Sequence, residues 1–163
     1  MLSDHELARY DRQIMISGWG KAGQERLKKA GVLVAGAGGL GTAVLTYLAA
    51  AGVGHIRVID CDKVEITNGN RQVLYTEKDI GREKALVAKE RLESLNSNIH
   101  VEAVVEVITE ENVSDLVADY PIVDAMDNLP IRYLLNRVAL QKKLPLFHGA
   151  IYAWEGRATT IIP

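Results

Sequence analysis

A chain of 163 residues has the size of one ordinary domain, and a make-up of 48% hydrophobic and 25% charged residues is that of a folded globular protein, which excludes global disorder. A net charge of −2 leaves no basic footprint for nucleic acid, and a single cysteine, Cys61, allows neither an intrachain disulfide nor a cysteine-cluster zinc site. The segment Met1 to Arg12 is polar and charged, without the apolar centre of a secretory signal, so a cytoplasmic protein is expected.

In chain order, Ser3 followed by Glu6 is a capping-box pattern that opens a first helix at about Ser3–Tyr10. A second helix is expected at about Lys21–Lys29, closed by Gly31, so residues 1–30 form a helical arm. The uncharged stretch Val32 to Gly54 is long enough to span a bilayer. Gly36, Gly38, Gly39, Gly41, Gly52 and Gly54 divide it instead into a buried strand, a turn, a core helix and another turn, so no membrane association is expected. Strands are predicted at about Val32–Ala35, His55–Ile59, His100–Val104, Ile122–Ala125, Leu144–Phe147 and Ala158–Ile162, and helices at about Leu40–Ala51, Lys84–Leu95, Glu111–Val117 and Ile131–Gln141. This alternation implies an α/β domain over residues 1–163 whose core, 31–163, is Rossmann-like and doubly wound. Its mostly parallel sheet carries helices on both faces. A hairpin turn at Trp154-Glu155-Gly156 would set the last strand antiparallel to its predecessor.

Gly36-Ala37-Gly38-Gly39-Leu40-Gly41 follows an apolar strand and opens a helix, where a G-x-G-x-x-G loop lets a phosphate approach backbone N–H groups at a helix N-terminus. Asp60 closes the next strand, 19 residues after Gly41, placed to accept hydrogen bonds from ribose hydroxyls. An NAD-dependent oxidoreductase and an ATP-using enzyme both employ such a unit. Further on come Asp62, Asn68-Gly69-Asn70-Arg71-Gln72, Gly81-x-x-Lys84 and Asp127-Asn128, each beyond a strand's carboxyl end or at a helix start. Singly, Lys84 is a solvated helix charge, Arg71 a surface ion pair and Asp127 an N-cap beside Pro130. Together, Arg71 and Lys84 suit a polyphosphate and Asp62 and Asp127 a magnesium ion, an arrangement that nucleotidyl transfer needs and hydride transfer does not. Asp115, Asp119 and Asp124 lack such context and are assigned structural roles. Arg9 and Arg12 are either solvated charges or part of an arm that carries Arg12 to a phosphate site.

Taken in order, Arg9-Tyr10-x-Arg12-Gln13, the glycine loop, Asp60-x-Asp62, Asn68-x-Asn70-Arg71-Gln72, Gly81-x-x-Lys84 and Asp127-Asn128 resemble the ThiF/MoeB proteins and the adenylation domains of ubiquitin-activating enzymes. The resemblance implies ATP- and Mg²⁺-dependent adenylation of the C-terminal glycine carboxylate of a ubiquitin-like sulfur-carrier protein. It makes Gly36, Gly38, Gly39, Gly41, Asp60 and Asp62 part of the nucleotide site, with Gly39 under the phosphates and Asp60 on the ribose, and puts Asn68, Arg71 and Lys84 on the phosphates with Gln72 supporting them. It makes Asp127 the magnesium ligand and sets Asn128 near the adenosine. It further implies a homodimer in which Arg12 enters the neighbouring subunit's site, so that Arg12, Arg71, Lys84 and Asp127 carry catalysis. Gly69 departs from the family's usual leucine, a change expected to loosen that turn, and Met126 from its usual threonine, beside the expected metal ligand. The family's customary crossover loop, transfer cysteine and zinc cysteines are missing from these residues, which makes a fragment of a longer protein the expectation, with a reduced form of the family as the alternative. Cys61 is expected to be packing rather than a nucleophile. The alternative is a non-catalytic nucleotide-binding or dimerisation subunit.

Overall fold

The computed structural model describes all 163 residues. The arm folds as α1 (Asp4–Arg9), α2 (Asp11–Ile14) and α3 (Gly20–Lys29), and the core follows as β1 (Gly31–Ala35), α4 (Gly39–Ala51), β2 (His55–Ile59), α5 (Lys84–Leu95), β3 (His100–Val104), α6 (Val113–Val117), β4 (Ile122–Asp124), α7 (Leu129–Lys142), β5 (Leu146–Tyr152) and β6 (Glu155–Ile161). The sheet order is β3-β2-β1-β4-β5-β6, parallel up to β5, with β6 antiparallel at the edge. The winding reverses between β1 and β4, and a crevice opens outside the carboxyl ends of those two strands, where sheets of this kind take ligands.

β1 shows why an unbroken apolar run suits its place at the centre. Val32 and Val34 face the layer of α4 and α5, while Leu33 and Ala35 face that of α6 and α7, and all four are buried. Each face has its own core, one around Leu45, Ile56 and Leu92 and the other around Ile122, Leu135 and Leu146. Truncating a fully enclosed leucine such as Leu33 to alanine costs about 3–5 kcal/mol, the lost transfer energy plus that of the cavity.

The arm is fastened to the far end of the α4 and α5 layer. Arg9 donates to the Leu95 carbonyl at the end of α5 (2.6 Å), Asn96 donates to the Tyr10 hydroxyl (2.8 Å), and Gln13 donates to the Ala51 carbonyl at the end of α4 (3.1 Å). Gly52 closes α4 at φ +87 with the Tyr10 ring against its Cα, so the position needs glycine for its backbone angle and for space.

Two boundaries differ from expectation for identifiable reasons. β5 begins at Leu146 rather than Leu144 because Lys143 turns left-handed (φ +54) and the Leu144 N–H bonds back to the Ala139 carbonyl, completing the helix end. The hairpin turns at Ala153-Trp154, before the expected Trp154–Gly156, because Tyr152 pairs with Glu155 and Ala153 adopts the positive φ that a glycine would be expected to take. Both strands are longer for it.

Candidate active site

The glycine loop leaves β1 by a turn that only glycine allows. Gly36 has φ +94, its N–H bonds to the Ile59 carbonyl, and a Cβ there would press on the Ala125 carbonyl. Gly41 fits α4 against the Gly36 carbonyl oxygen, where any side chain would collide, and so brings the helix N-terminus close to the strand end. The N–H groups of Gly38, Gly39 and Leu40 donate to nothing within the chain, leaving a cradle of free donors at the positive end of α4. Asp60, at the end of β2, braces the loop by accepting from the Ala37 N–H (2.7 Å), and its other oxygen accepts from the Asp62 N–H (2.8 Å). Burial pushes this carboxyl above its ordinary value against the pull of those two N–H groups. Each oxygen keeps a lone pair for a ribose hydroxyl.

The crossover between β2 and α5 brings the cations. The Arg71 side chain lies over Gly39, its Cγ and Cδ at 3.5 Å from where a Cβ would sit, and its guanidinium is held by the Thr67 carbonyl (3.2 Å) and Asn70 Oδ1 (3.0 Å). Gln72 is buried beside Gly38, and its Oε1 has no partner. An orphaned buried acceptor costs stability, and this one stands at the cleft, where a ligand or a water can meet it. Lys84 opens α5 with its ammonium 2.9 Å from Asp62 Oδ2. Asn68 does not enter the cleft: its Oδ1 accepts from the Glu65 N–H (2.9 Å) and closes the short 3-10 turn Ile66–Asn68. Gly69 sits at φ −61, an ordinary right-handed conformation, so its replacement of leucine does not loosen the turn.

Asp127 and Asn128 follow β4 and are exposed on the cleft wall. The N-cap of α7 is Asn128, accepting from the Ile131 N–H (3.0 Å), which leaves the Asp127 carboxylate without a protein partner. Beneath them lies a cluster that the sequence did not reveal. Asp124, almost wholly buried, accepts from the Met126 N–H (3.0 Å), pairs with His148 Nδ1 (2.7 Å) and stands 3.9 Å from Arg132 Nε. Arg132 in turn donates through both Nε and Nη2 to the Met126 carbonyl and so fixes the loop that presents Asp127. Its partners come from β5 and α7, at spacings with no periodic signature.

These parts enclose one cleft of about 870 Å³, within the range of small-molecule and cofactor sites. Gly36, Gly38 and Gly39 line it with Asp60, Asp62 and Arg71, as do Gln72, Lys84, Asp127 and Asn128. Gly41 packs beneath the loop, and Arg12, exposed and touching only Met15 Sδ (3.7 Å), lies elsewhere. Sequence reasoning missed Arg132 and Arg157, two further cleft cations. Cys61 is exposed at the cleft rather than packed, and burial together with the Asp62 and Asp60 carboxylates pushes its thiol up, which disfavours the thiolate. No group of three His, Cys, Asp or Glu side chains stands close enough to hold a metal unaided, and Asp62 is engaged by Lys84. A lone carboxylate beside a phosphate cradle fits a magnesium ion that arrives with its nucleotide, most of its ligands being phosphate oxygens and water. No helix is long and apolar enough to cross a membrane.

Comparison with known proteins agrees with this arrangement. The chain is 51% identical over 153 residues to the sulfur carrier protein adenylyltransferase of Thermus thermophilus, covering 93% of this chain and 56% of that protein. It is 46% identical over 159 residues to the SAMP-activating enzyme E1 of Haloferax volcanii, covering 97% and 59%. It thus spans a little over half the length of these relatives. Among solved structures, the E. coli tRNA N6-threonylcarbamoyladenosine dehydratase TcdA, in complex with ATP, superimposes with a TM-score of 0.86 at 29% identity, over 92% of this chain and 62% of that one. The sequence profile of the ThiF family matches residues 10–163, all of the chain but the first part of its arm, and the chain belongs to the ThiF family.

Proposed function

We propose that the cleft binds ATP with magnesium and transfers its adenylyl group to the C-terminal glycine carboxylate of a ubiquitin-like sulfur-carrier protein, in a cytoplasmic homodimer. The observation that carries this reading is the convergence, on one cleft, of a free N–H cradle, Arg71, Lys84 and the unpartnered Asp127 carboxylate. The names of the Thermus and Haloferax relatives, an adenylyltransferase of a sulfur carrier and a SAMP-activating E1, support it. In the reaction a carboxylate oxygen bonds to the α-phosphorus as the bond to pyrophosphate breaks. No proton moves, because a C-terminal carboxylate is ionised at neutral pH.

What the chain supplies is screening and alignment. Carboxylate and triphosphate repel each other, and Arg71 and Lys84 offset that repulsion while the Gly38–Leu40 N–H groups hold the phosphates in line. The Asp127 carboxylate would hold the magnesium ion, whose charge supplements theirs on the departing pyrophosphate. Asp60 takes the ribose, and Asn128, with one lone pair of its Oδ1 committed to capping, offers its amide NH₂ to the nucleoside.

The test is magnesium-dependent ATP–pyrophosphate exchange with a panel of purified carriers ending in Gly-Gly, on this chain and on a version carrying the further residues of the longer relatives. Exchange that depends on one carrier is expected and identifies the partner. ATP binding without exchange in either version, whatever carrier is added, overturns the catalytic reading in favour of a binding subunit.

A further inference from the structure

Tyr75 takes no part in the chemistry above, yet it touches the glycine loop at one atom that matters. Its ring is buried beneath the loop, and its hydroxyl donates to the Ala37 carbonyl oxygen at 2.8 Å, a bond sealed from solvent. Burial pushes the phenol far above its ordinary value, so it is a permanent donor at any working pH. The same residue's N–H is held from the other side by Asp60 Oδ2 at 2.7 Å. Ala37 is completely buried, so neither group has water as an alternative.

The consequence is stereochemical. No peptide bond in the chain is cis, and in a trans peptide the C=O and the following N–H point in opposite directions. Holding the Ala37 carbonyl inward on Tyr75 therefore turns the Gly38 N–H outward, into the cleft, where it has no protein partner. Gly38 on its far side restrains this peptide little, so its orientation depends on what holds it. A rotated Ala37–Gly38 peptide would present a carbonyl oxygen to an incoming phosphate in place of a donor.

We infer that Tyr75 is a positioning residue for phosphate recognition: its hydroxyl sets the orientation of the Ala37–Gly38 peptide and so aims the Gly38 N–H at the polyphosphate. This deepens the proposed ATP site and rests on it. Tyr75 is not among the residues that line the cleft, and its hydroxyl bonds to the Ala37 carbonyl and not to Asp60 or Asn128, so the inference demands a phosphate-selective defect and not a general one.

The experiment compares ATP and adenosine binding by calorimetry in the unaltered chain and in Tyr75→Phe, which keeps the buried ring. A phosphate oxygen that loses an aimed donor binds about ten- to a hundredfold more weakly. ATP affinity is accordingly expected to fall by that factor in Tyr75→Phe while adenosine affinity stays within about twofold. Unchanged ATP affinity, or equal losses for ATP and adenosine, overturns the inference. If the unaltered chain itself shows no preference for ATP over adenosine, the phosphate site of the proposed function fails first. A second measurement needs no variant: in the unaltered chain the Gly38 amide proton resonance is expected to move downfield on titration with ATP and not with adenosine. An amide that does not respond points elsewhere, and the inference falls with it.

Discussion

Lys84 stands at the first position of α5, where a charged side chain would ordinarily lie in water, yet it is only 7% exposed and its ammonium rests on Asp62, which is 65% exposed. The ion is thus enclosed on its stem and open toward the cleft, the disposition of a cation kept ready for an anion that comes from outside. Lys84→Met preserves the stem and leaves Asp62 to solvent, so the fold should melt within a few degrees of the parent while the exchange rate at saturating ATP falls by about two to three orders of magnitude. Unaltered turnover in Lys84→Met would remove the lysine from the transition state. Asp127→Ala tests the opposite charge. Because that carboxylate bonds to nothing in the chain, its loss should leave the melting temperature unchanged and abolish exchange, and full turnover in the folded variant would cancel its assignment to magnesium. Most of the residues expected at the site line this cleft, each belonging to a short motif beyond a strand end or at a helix start. Asn68 stands outside the cleft lining because its side chain caps the Glu65 N–H, and the structural role expected of Asp124 takes the form of a buried brace whose partners, eight and twenty-four residues away, no motif announces.

The crossover from β2 to α5 contains little regular structure, and one carboxylate anchors it. Asp79 is buried and accepts from the Thr76 N–H (2.9 Å) and hydroxyl (2.8 Å), from Arg91 (2.8 Å) and from Arg82 (3.1 Å). Burial opposes its ionisation, but the bonds from Arg91 and Thr76 outweigh burial and hold the carboxyl well below the usual range. A depressed carboxyl stabilises the fold fully above about pH 5, and that contribution is lost as the pH falls through and below the ordinary carboxylate range. Asp60, raised by burial, works in the opposite sense, but its displacement is the smaller of the two. Asp79→Asn should therefore lower stability by about 2 kcal/mol at pH 7 and by distinctly less at pH 3, as read from urea midpoints. A gap that does not change with pH would mean that the ionised carboxylate is not its source. Such a network cannot be seen in the sequence, whereas β2, β3 and α5 match their expected limits to the residue because apolar pattern and flanking turns agree. At the hairpin they disagreed: Gly156 marked a turn, and the strand pairing placed it at Ala153.

At the scale of the whole molecule, the arm decides where Arg12 can act. Of the motif Arg9-Tyr10-x-Arg12-Gln13, three side chains bind the chain's own helix ends, and Arg12 alone is left facing outward. Those anchors sit at the carboxyl ends of α4 and α5, and the one nearest Arg12, Gln13 on Ala51, is at the far end of α4 from the glycine loop, thirteen residues away. At 1.5 Å per residue the separation is about 20 Å, more than one arginine side chain can bridge. If Arg12 serves a nucleotide cleft, it must be the cleft of another subunit. In the proposed homodimer, Arg12→Ala and Arg71→Ala are each expected to be inactive alone and are mixed in equal amounts with subunit exchange. Half of the dimers are then mixed, and each of these has one cleft that combines an intact Arg71 with the partner's intact Arg12, and one cleft that has neither. Recovery to about a quarter of the parent activity is expected, with sedimentation or native mass measurements establishing that exchange has occurred. Were Arg12 to act within its own subunit, every cleft in the mixture would lack one of the two arginines, and verified exchange with no recovery would show it.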